Sequence, residues 1–106
     1  MSAVTTHVLD AATGRPAAGV AVRLEGQGVT AQARTDDDGR VRALGPDELA
    51  PGDYRLVFDT GSWFRASGTA AFYPEVVVAF TVTAASGHYH VPLLLSPFAF
   101  STYRGS

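Results

Sequence analysis

The stretch His88-Tyr-His-Val-Pro-Leu-Leu-Leu95 alternates between two kinds of side chain, and the rest of the chain is interpreted outward from it. Successive side chains of a strand point to opposite faces. A strand here places Tyr89 and Val91 on one face and His88 and His90 on the other. The pattern therefore predicts a half-buried strand whose outer face carries two imidazoles.

The residues after this stretch are unusually aromatic for a chain end, since ends are commonly polar and frayed. Phe98, Phe100 and Tyr103 lie within a few residues of one another. We expect such a tail to be buried, either in its own core or against another subunit. Its last four residues then become candidates for the wall of a site: Tyr103, Arg104, Gly105 and Ser106.

Most of the remaining chain also has the pattern of short strands separated by Gly, Pro and Asp turns. Strands are predicted over Val4 to Leu9, Val20 to Leu24, Val29 to Thr35, Tyr54 to Phe58 and Val76 to Val82. A short helix is predicted within Trp63 to Tyr73, broken by Gly68 and ended before Pro74. About seven short strands with at most one helix indicate an all-β fold, an antiparallel two-sheet sandwich.

Length, charge and composition limit the classes of function. A chain of 106 residues is expected to form one domain, residues 1–106. Its net charge of -2 predicts neither a nucleic-acid partner nor an anionic membrane surface. No apolar run reaches the roughly 20 residues of a membrane helix, and the N-terminus lacks the features of a signal peptide. We therefore expect no membrane partner and a cytoplasmic location.

Three histidines, His7, His88 and His90, are the residues best suited to acid–base chemistry near neutral pH. Their spacing leaves two interpretations open. One is a general base on a strand face, and the other is a three-histidine zinc site, which would use every histidine in the chain. Arg40 follows the turn at Asp36, and its planar fork suits an imide, a carboxylate or a developing oxyanion.

Several segments together resemble the 5-hydroxyisourate hydrolases, the transthyretin-related enzymes of urate breakdown. The His88 to Pro97 segment and the terminal Tyr-Arg-Gly-Ser are similar to that family's C-terminal signature. Thr5-Thr-His-Val-Leu-Asp10, Asp38-Gly-Arg40 and Tyr73-Pro-Glu75 resemble its other motifs. Ala99 and Phe100 depart from the glycine and tyrosine that are common there.

The resemblance implies a transthyretin-like sandwich of seven to eight strands with one short helix, assembled as a homotetramer with sites at the subunit interface. It implies hydrolysis of 5-hydroxyisourate with no metal or cofactor. The catalytic residues would be His7, Arg40 and His90. The substrate would be bound by His7 and Arg40 together with Tyr103, Arg104, Gly105 and Ser106. The alternative is a transthyretin-like carrier, which binds an apolar ligand and performs no chemistry.

Overall fold

A computed structural model describes residues 2–106 of the chain. Within these residues there are nine strands and one short helix. The strands are β1 (Val4–Asp10), β2 (Arg15–Pro16), β3 (Ala21–Gly26), β4 (Val29–Arg34), β5 (Arg40–Leu44), β6 (Gly52–Phe58), β7 (Val76–Val82), β8 (Tyr89–Leu95) and β9 (Phe100–Thr102). The helix α1 is Thr60–Ala66.

The strands form two sheets. In the first sheet β1 is central, with β8 and then β9 on one side and both β2 and β5 on the other. The second sheet has the order β4-β3-β6-β7. The predicted two-sheet sandwich with one short helix is confirmed, with three strands beyond the predicted ranges, β2, β5 and β9.

One strand pair departs from the predicted antiparallel arrangement. β1 and β8 run parallel, with Val4 opposite Tyr89 and Asp10 opposite Leu95. Parallel neighbours need a long connection rather than a hairpin. The whole second sheet lies between these two strands in the sequence, so the connection is long enough.

The core lies between the inner faces of the two sheets. From β8 it receives Tyr89, Val91, Leu93 and Leu95, which are all buried. The alternation predicted for this strand is therefore confirmed except at Pro92, which is also buried. Each such side chain stabilises the fold by roughly 1.5–3 kcal/mol relative to an exposed one.

The helix begins earlier than its predicted range, Trp63 to Tyr73, because Asp59 caps it. The Asp59 carboxylate accepts the backbone N–H of Ser62 at 3.2 Å. The helix then ends at Ser67 and Gly68, where the glycine has a φ of +70°. It is neither long nor apolar enough to cross a membrane, and residues 2–106 contain no helix that is.

The tail aromatics are not part of this core. Phe98 is 68% exposed, Tyr103 is 59% exposed and Phe100 is 39% exposed. Phe72, which is 71% exposed, adds to this apolar surface. The expectation that the tail is buried in its own core is wrong for these side chains. Burial against another subunit stays a prediction.

Candidate active site

The outer face of β1 organises the candidate site. Val4, Thr6 and Val8 are buried, so Thr5 and His7 lie on the opposite face. In the register of the sheet, Thr5 is opposite His90 of β8 and His7 is opposite Arg40 of β5. His90 and Arg40 therefore flank β1 from its two sides. Side chains at this spacing on one sheet face interact directly or diagonally.

Arg40 is positioned by the turn that precedes β5. The Asp36 carboxylate accepts the backbone N–H groups of Asp38 at 2.9 Å and of Arg40 at 3.0 Å. The hydrogen bond from Arg40 is the largest cause that lowers the pKa of Asp36. The carboxylate therefore holds the turn that brings Arg40 to β1.

Gly39 docks this turn against β1. Its carbonyl accepts the N–H of Val8 at 2.7 Å, and its φ is +76°. A Cβ at this position would lie 2.4 Å from the carbonyl oxygen of Val8. Both the backbone angle and the close approach therefore require glycine.

The two arginines of β5 differ in what their side chains contact. Arg42 forms ion pairs with Asp36 and, at 3.5 Å, with Asp38. Among residues 2–106, no carboxylate lies within ion-pair distance of the half-buried Arg40. The guanidinium of Arg40 is therefore the one on this strand that is left to bind a ligand.

Thr5 contacts the imidazole of His90, and Gly105 binds its backbone carbonyl. Its Nδ1 lies 2.8 Å from Oγ1 of Thr5. Its carbonyl accepts the N–H of Gly105 at 2.8 Å. A Cβ on Gly105 would lie 2.5 Å from Cδ2 of the imidazole, so glycine is needed here for the tail to pack on the ring. Nε2 makes no hydrogen bond within residues 2–106, which leaves it open to a ligand or water.

The surroundings of His90 favour its neutral form. Burial of the ring is the largest cause that lowers the pKa of His90, followed by the positive charges of Arg40, His7 and His88. A neutral imidazole with a free ring nitrogen is what a general base requires.

These groups surround a cleft of about 530 Å³. Its walls are Thr5, Thr6, Arg40, Val41, Arg42, His88, His90 and Ser106. None of these eight residues has a carboxylate side chain. His7 lies beside the cleft on the same sheet face, next to Arg40. The site therefore combines a neutral base with fixed positive charge, which suits a substrate that develops negative charge on oxygen.

Comparison with known proteins identifies the family of this chain. Residues 4–105 match the model of the HIUase/Transthyretin family. The chain belongs to this family. It is 49% identical to the 5-hydroxyisourate hydrolase of Caulobacter vibrioides, and the match covers 100% of both chains.

Two solved structures place both branches of the HIUase/Transthyretin family close to this fold. The 5-hydroxyisourate hydrolase of Klebsiella pneumoniae has a TM-score of 0.90 and 38% identity, covering 100% of this chain and 94% of that one. Sea bream transthyretin in complex with thyroxine has a TM-score of 0.87 and 30% identity, covering 97% and 94%. The fold is therefore common to the hydrolases and the transthyretins. Only the residues of the site can distinguish the two.

The predicted site residues of the tail divide between two surfaces. Gly105 packs on His90, and Ser106 lines the histidine cleft. Tyr103 and Arg104 instead line a groove of about 320 Å³ beside β7, where the Arg104 guanidinium lies 4.8 Å from the centre of the Tyr89 ring. Within one chain, they do not line the histidine cleft.

The structure also assigns roles to other polar side chains of β1. Thr6 is buried and donates to the carbonyl of Val91, and Asp10 accepts N–H groups of the following turn. Thr5 is a partner of His90, which the sequence did not reveal. In the part of the chain that the structure describes, no three His, Cys, Asp or Glu residues are grouped to hold a metal ion.

Proposed function

We propose that this protein hydrolyses 5-hydroxyisourate to 2-oxo-4-hydroxy-4-carboxy-5-ureidoimidazoline, a step of urate breakdown. The observation that carries the proposal is that His90 shares one cleft with Arg40. The pKa of His90 is lowered, and within residues 2–106 its Nε2 makes no hydrogen bond and Arg40 has no carboxylate partner. Full-length relatives named 5-hydroxyisourate hydrolase support the substrate.

In the proposed mechanism, water attacks a ring amide carbonyl of the substrate. Nε2 of His90 accepts a proton from the water as its oxygen bonds to the carbonyl carbon. The ring C–N bond then breaks, the nitrogen takes up a proton and the acyl group becomes a carboxylate. His7, next to Arg40 on the same sheet face, orients the water or the leaving nitrogen.

Arg40 binds the negative charge that develops on the attacked carbonyl oxygen. Its guanidinium is not neutralised by a protein carboxylate among residues 2–106, so its field acts on the substrate. Charge placed in advance where the transition state becomes negative is commonly the largest single contribution to such catalysis. Gly105 and Ser106 close the cleft on the His90 side.

The lowered pKa of His90 predicts how the protein responds to acid. Its titration followed by NMR should have a midpoint below the ordinary histidine value of about 6.5. Because the folded pKa lies below the unfolded one, the unfolded chain binds this proton first. The stability associated with His90 is present above about pH 6.5 and is lost as the pH falls through the folded pKa. A midpoint at or above 6.5 would contradict this prediction.

A coupled absorbance assay tests the proposed function. Urate oxidase generates 5-hydroxyisourate from urate in the cuvette, and its decay is followed with and without this protein, each with and without a chelator. Accelerated decay that the chelator does not change supports the proposal. Loss of acceleration with chelator would favour the zinc alternative. Folded protein that gives no acceleration would favour the carrier, although a cleft lined by two arginines and two histidines does not suit an apolar ligand.

We also propose a homotetramer whose sites lie at the subunit interface. The support is apolar surface at the edges of the sandwich. Phe72 and Phe98 are more than two-thirds exposed, and the groove that contains Tyr103 and Arg104 lies between the edge strand β7 and the tail. Uncovered edges and apolar patches of this kind are usually paired or covered in natural proteins.

Replacing Phe72 with serine is expected to weaken the assembly. In a two-fold interface the change occurs twice, and each buried phenylalanine contributes roughly 1.5–3 kcal/mol, so the dissociation constant should rise on the order of 100-fold or more. Size-exclusion chromatography with light scattering over a dilution series measures this. Gln32→Ser, on an exposed position of β4, is the control. A wild-type protein that is monomeric and fully active would overturn the interface proposal.

A further inference from the structure

The tail after β9 stays in register with β8 beyond the end of the strand. Leu93 pairs with Thr102, and an isolated bridge further along joins His90 to Gly105. Both pairs belong to one antiparallel register. Pro92 stands between them on β8, and a proline has no N–H to donate to the neighbouring strand. The ladder therefore lacks a hydrogen bond just before the tail reaches the histidine cleft.

Arg104 makes a side-chain contact in this interval. Its guanidinium carbon lies 4.8 Å from the centre of the Tyr89 ring, within the range of a cation–π interaction. In the register of the tail Arg104 stands opposite Val91, so Tyr89 is its diagonal neighbour across the two strands. Among residues 2–106, no carboxylate lies within ion-pair distance of Arg104. The Tyr89 ring is therefore the contact that the structure gives this charge.

Tyr89 is a fixed platform for the guanidinium. It is 4% exposed and belongs to the core between the sheets. Its hydroxyl accepts the backbone N–H groups of Thr83 at 3.0 Å and of Ala84 at 3.2 Å. The ring is thus held by the core and by the turn after β7. Arginine suits such a platform because its planar guanidinium stacks on an aromatic face, which the ammonium group of lysine does not.

The register of the tail decides which residue meets His90. Side chains alternate along a strand, so Gly105 takes the face of His90 while Arg104 takes the inner face. A Cβ on Gly105 would lie 2.5 Å from the Cδ2 atom of His90. A slip by one residue would put Arg104 or Ser106 opposite His90, where either side chain would collide with the ring. The observed register alone lets the tail pack on the imidazole.

We propose that Arg104 is a positioning residue that holds the tail in this register by stacking on Tyr89. Gly105 and Ser106 are thereby kept on the His90 side of the sheet, where Ser106 lines the cleft. This role differs from the substrate binding that the resemblance implies for Arg104. The effect on hydrolysis rests on the proposed function, whereas the register of the tail does not.

The chain provides a matched set of variants. Arg104→Gln removes the charge and keeps part of the length of the side chain, whereas Arg104→Lys keeps the charge without the planar group. Tyr89→Phe keeps the ring and removes the hydroxyl, whereas Tyr89→Leu removes the ring. Arg65→Gln, at an exposed position of α1, is the control for exchanging an arginine.

The first experiment measures hydrogen exchange of the Gly105 amide by NMR in the free protein. This N–H donates to the His90 carbonyl at 2.8 Å, so its exchange rate reports opening of the tail. We expect the rate to rise about two- to fivefold in Arg104→Gln, the effect of losing one exposed cation–π contact, and less in Arg104→Lys. Arg65→Gln should leave the rate unchanged. An unchanged rate in Arg104→Gln overturns the proposal.

A double-mutant cycle tests whether Arg104 acts through the Tyr89 ring. In the Tyr89→Leu background the ring is already absent, so Arg104→Gln should change the exchange rate by less than about 1.5-fold. In the Tyr89→Phe background the ring remains, and the full rise is expected. Equal rises in the leucine background and the wild type would contradict the proposal. If Tyr89→Leu does not fold, ring-current shifts replace it. The Arg104 δ-methylene protons should then lie upfield of those of Arg65, and equal positions would overturn the proposal.

The second experiment measures kcat/KM in the coupled assay and separates positioning from substrate binding. We expect Arg104→Gln to lower kcat/KM by less than about tenfold, with no further loss when it is added to Tyr89→Leu. A guanidinium that contacts the substrate predicts a loss of more than about tenfold that is equal in both backgrounds, and that result would overturn the proposal.

The two experiments also separate failure of this inference from failure of the proposed function. Wild-type protein without hydrolase activity would remove the function and leave the exchange measurement interpretable. An active enzyme in which exchange of the Gly105 amide does not depend on Arg104 would remove the inference alone.

Discussion

Replacing His90 with alanine is expected to lower kcat for 5-hydroxyisourate by about 10²–10⁴-fold, the usual effect of losing a general base. The reason is that His90 is the half-buried imidazole whose Nε2 is free and whose pKa is lowered. His90→Gln should lose activity to a similar extent, because an amide does not accept a proton near neutral pH. The decay of the intermediate in the coupled assay measures both.

The fold should survive these substitutions, which makes the loss of activity interpretable. His90 lies on the outer face of β8 and is not part of the core between the sheets. Thermal unfolding and light scattering of each variant check this. Gln32→Ala, on the far sheet, controls for expression and handling. A folded His90→Ala protein that keeps its full turnover rate would show that His90 is not the base.

Replacing Arg40 with alanine is expected to lower kcat/KM by about 10²–10³-fold, as when a group that stabilises a developing oxyanion is removed. Arg40 is the arginine of β5 without a carboxylate partner among residues 2–106, so its charge is directed at the substrate. Arg40→Lys keeps the charge but loses the planar fork. We therefore expect its rate to lie between those of the wild type and the alanine variant.

Arg42 provides the matched comparison on the same strand face. It lines the same cleft, but Asp36 and Asp38 occupy its guanidinium. Arg42→Ala should therefore reduce kcat/KM by less than about tenfold. This variant loses an exposed ion pair and part of the positive charge at the cleft. Steady-state kinetics on Arg40→Ala, Arg40→Lys and Arg42→Ala ranks the three variants by kcat/KM. An Arg40→Ala protein no slower than Arg42→Ala would contradict the role given to Arg40.

The pattern of the sequence predicted the layers of the fold because strand periodicity is a local property. Tyr89, Val91 and Leu93 recur at every second position of β8, and their burial follows from that period. The helix was predicted with the wrong bounds for an equally local reason. The predicted range left out Asp59, which follows the strand that ends at Phe58 and caps the helix that begins at Thr60.

The candidate site was predicted only as separate residues. His90 and Arg40 lie fifty positions apart in the chain, and no local pattern says that each flanks β1. The parallel pairing of β1 with β8 brings Thr5 beside His90, and the turn at Gly39 brings Arg40 beside His7. The period of two in a strand implies that Thr5 and His7 share a face, but it does not identify their partners.

The sequence by itself determined the sandwich, the inward and outward faces of its strands, and the imidazoles and guanidinium available for chemistry. These follow from side-chain identity and from the period of two in a strand. Tertiary structure decided which of these groups meet. It joined Thr5 to two histidines, left Arg40 without a carboxylate partner among residues 2–106, and placed Tyr103 and Arg104 at a groove separate from the histidine cleft. The physical reason is that register and strand order depend on contacts between distant segments, which no local pattern specifies.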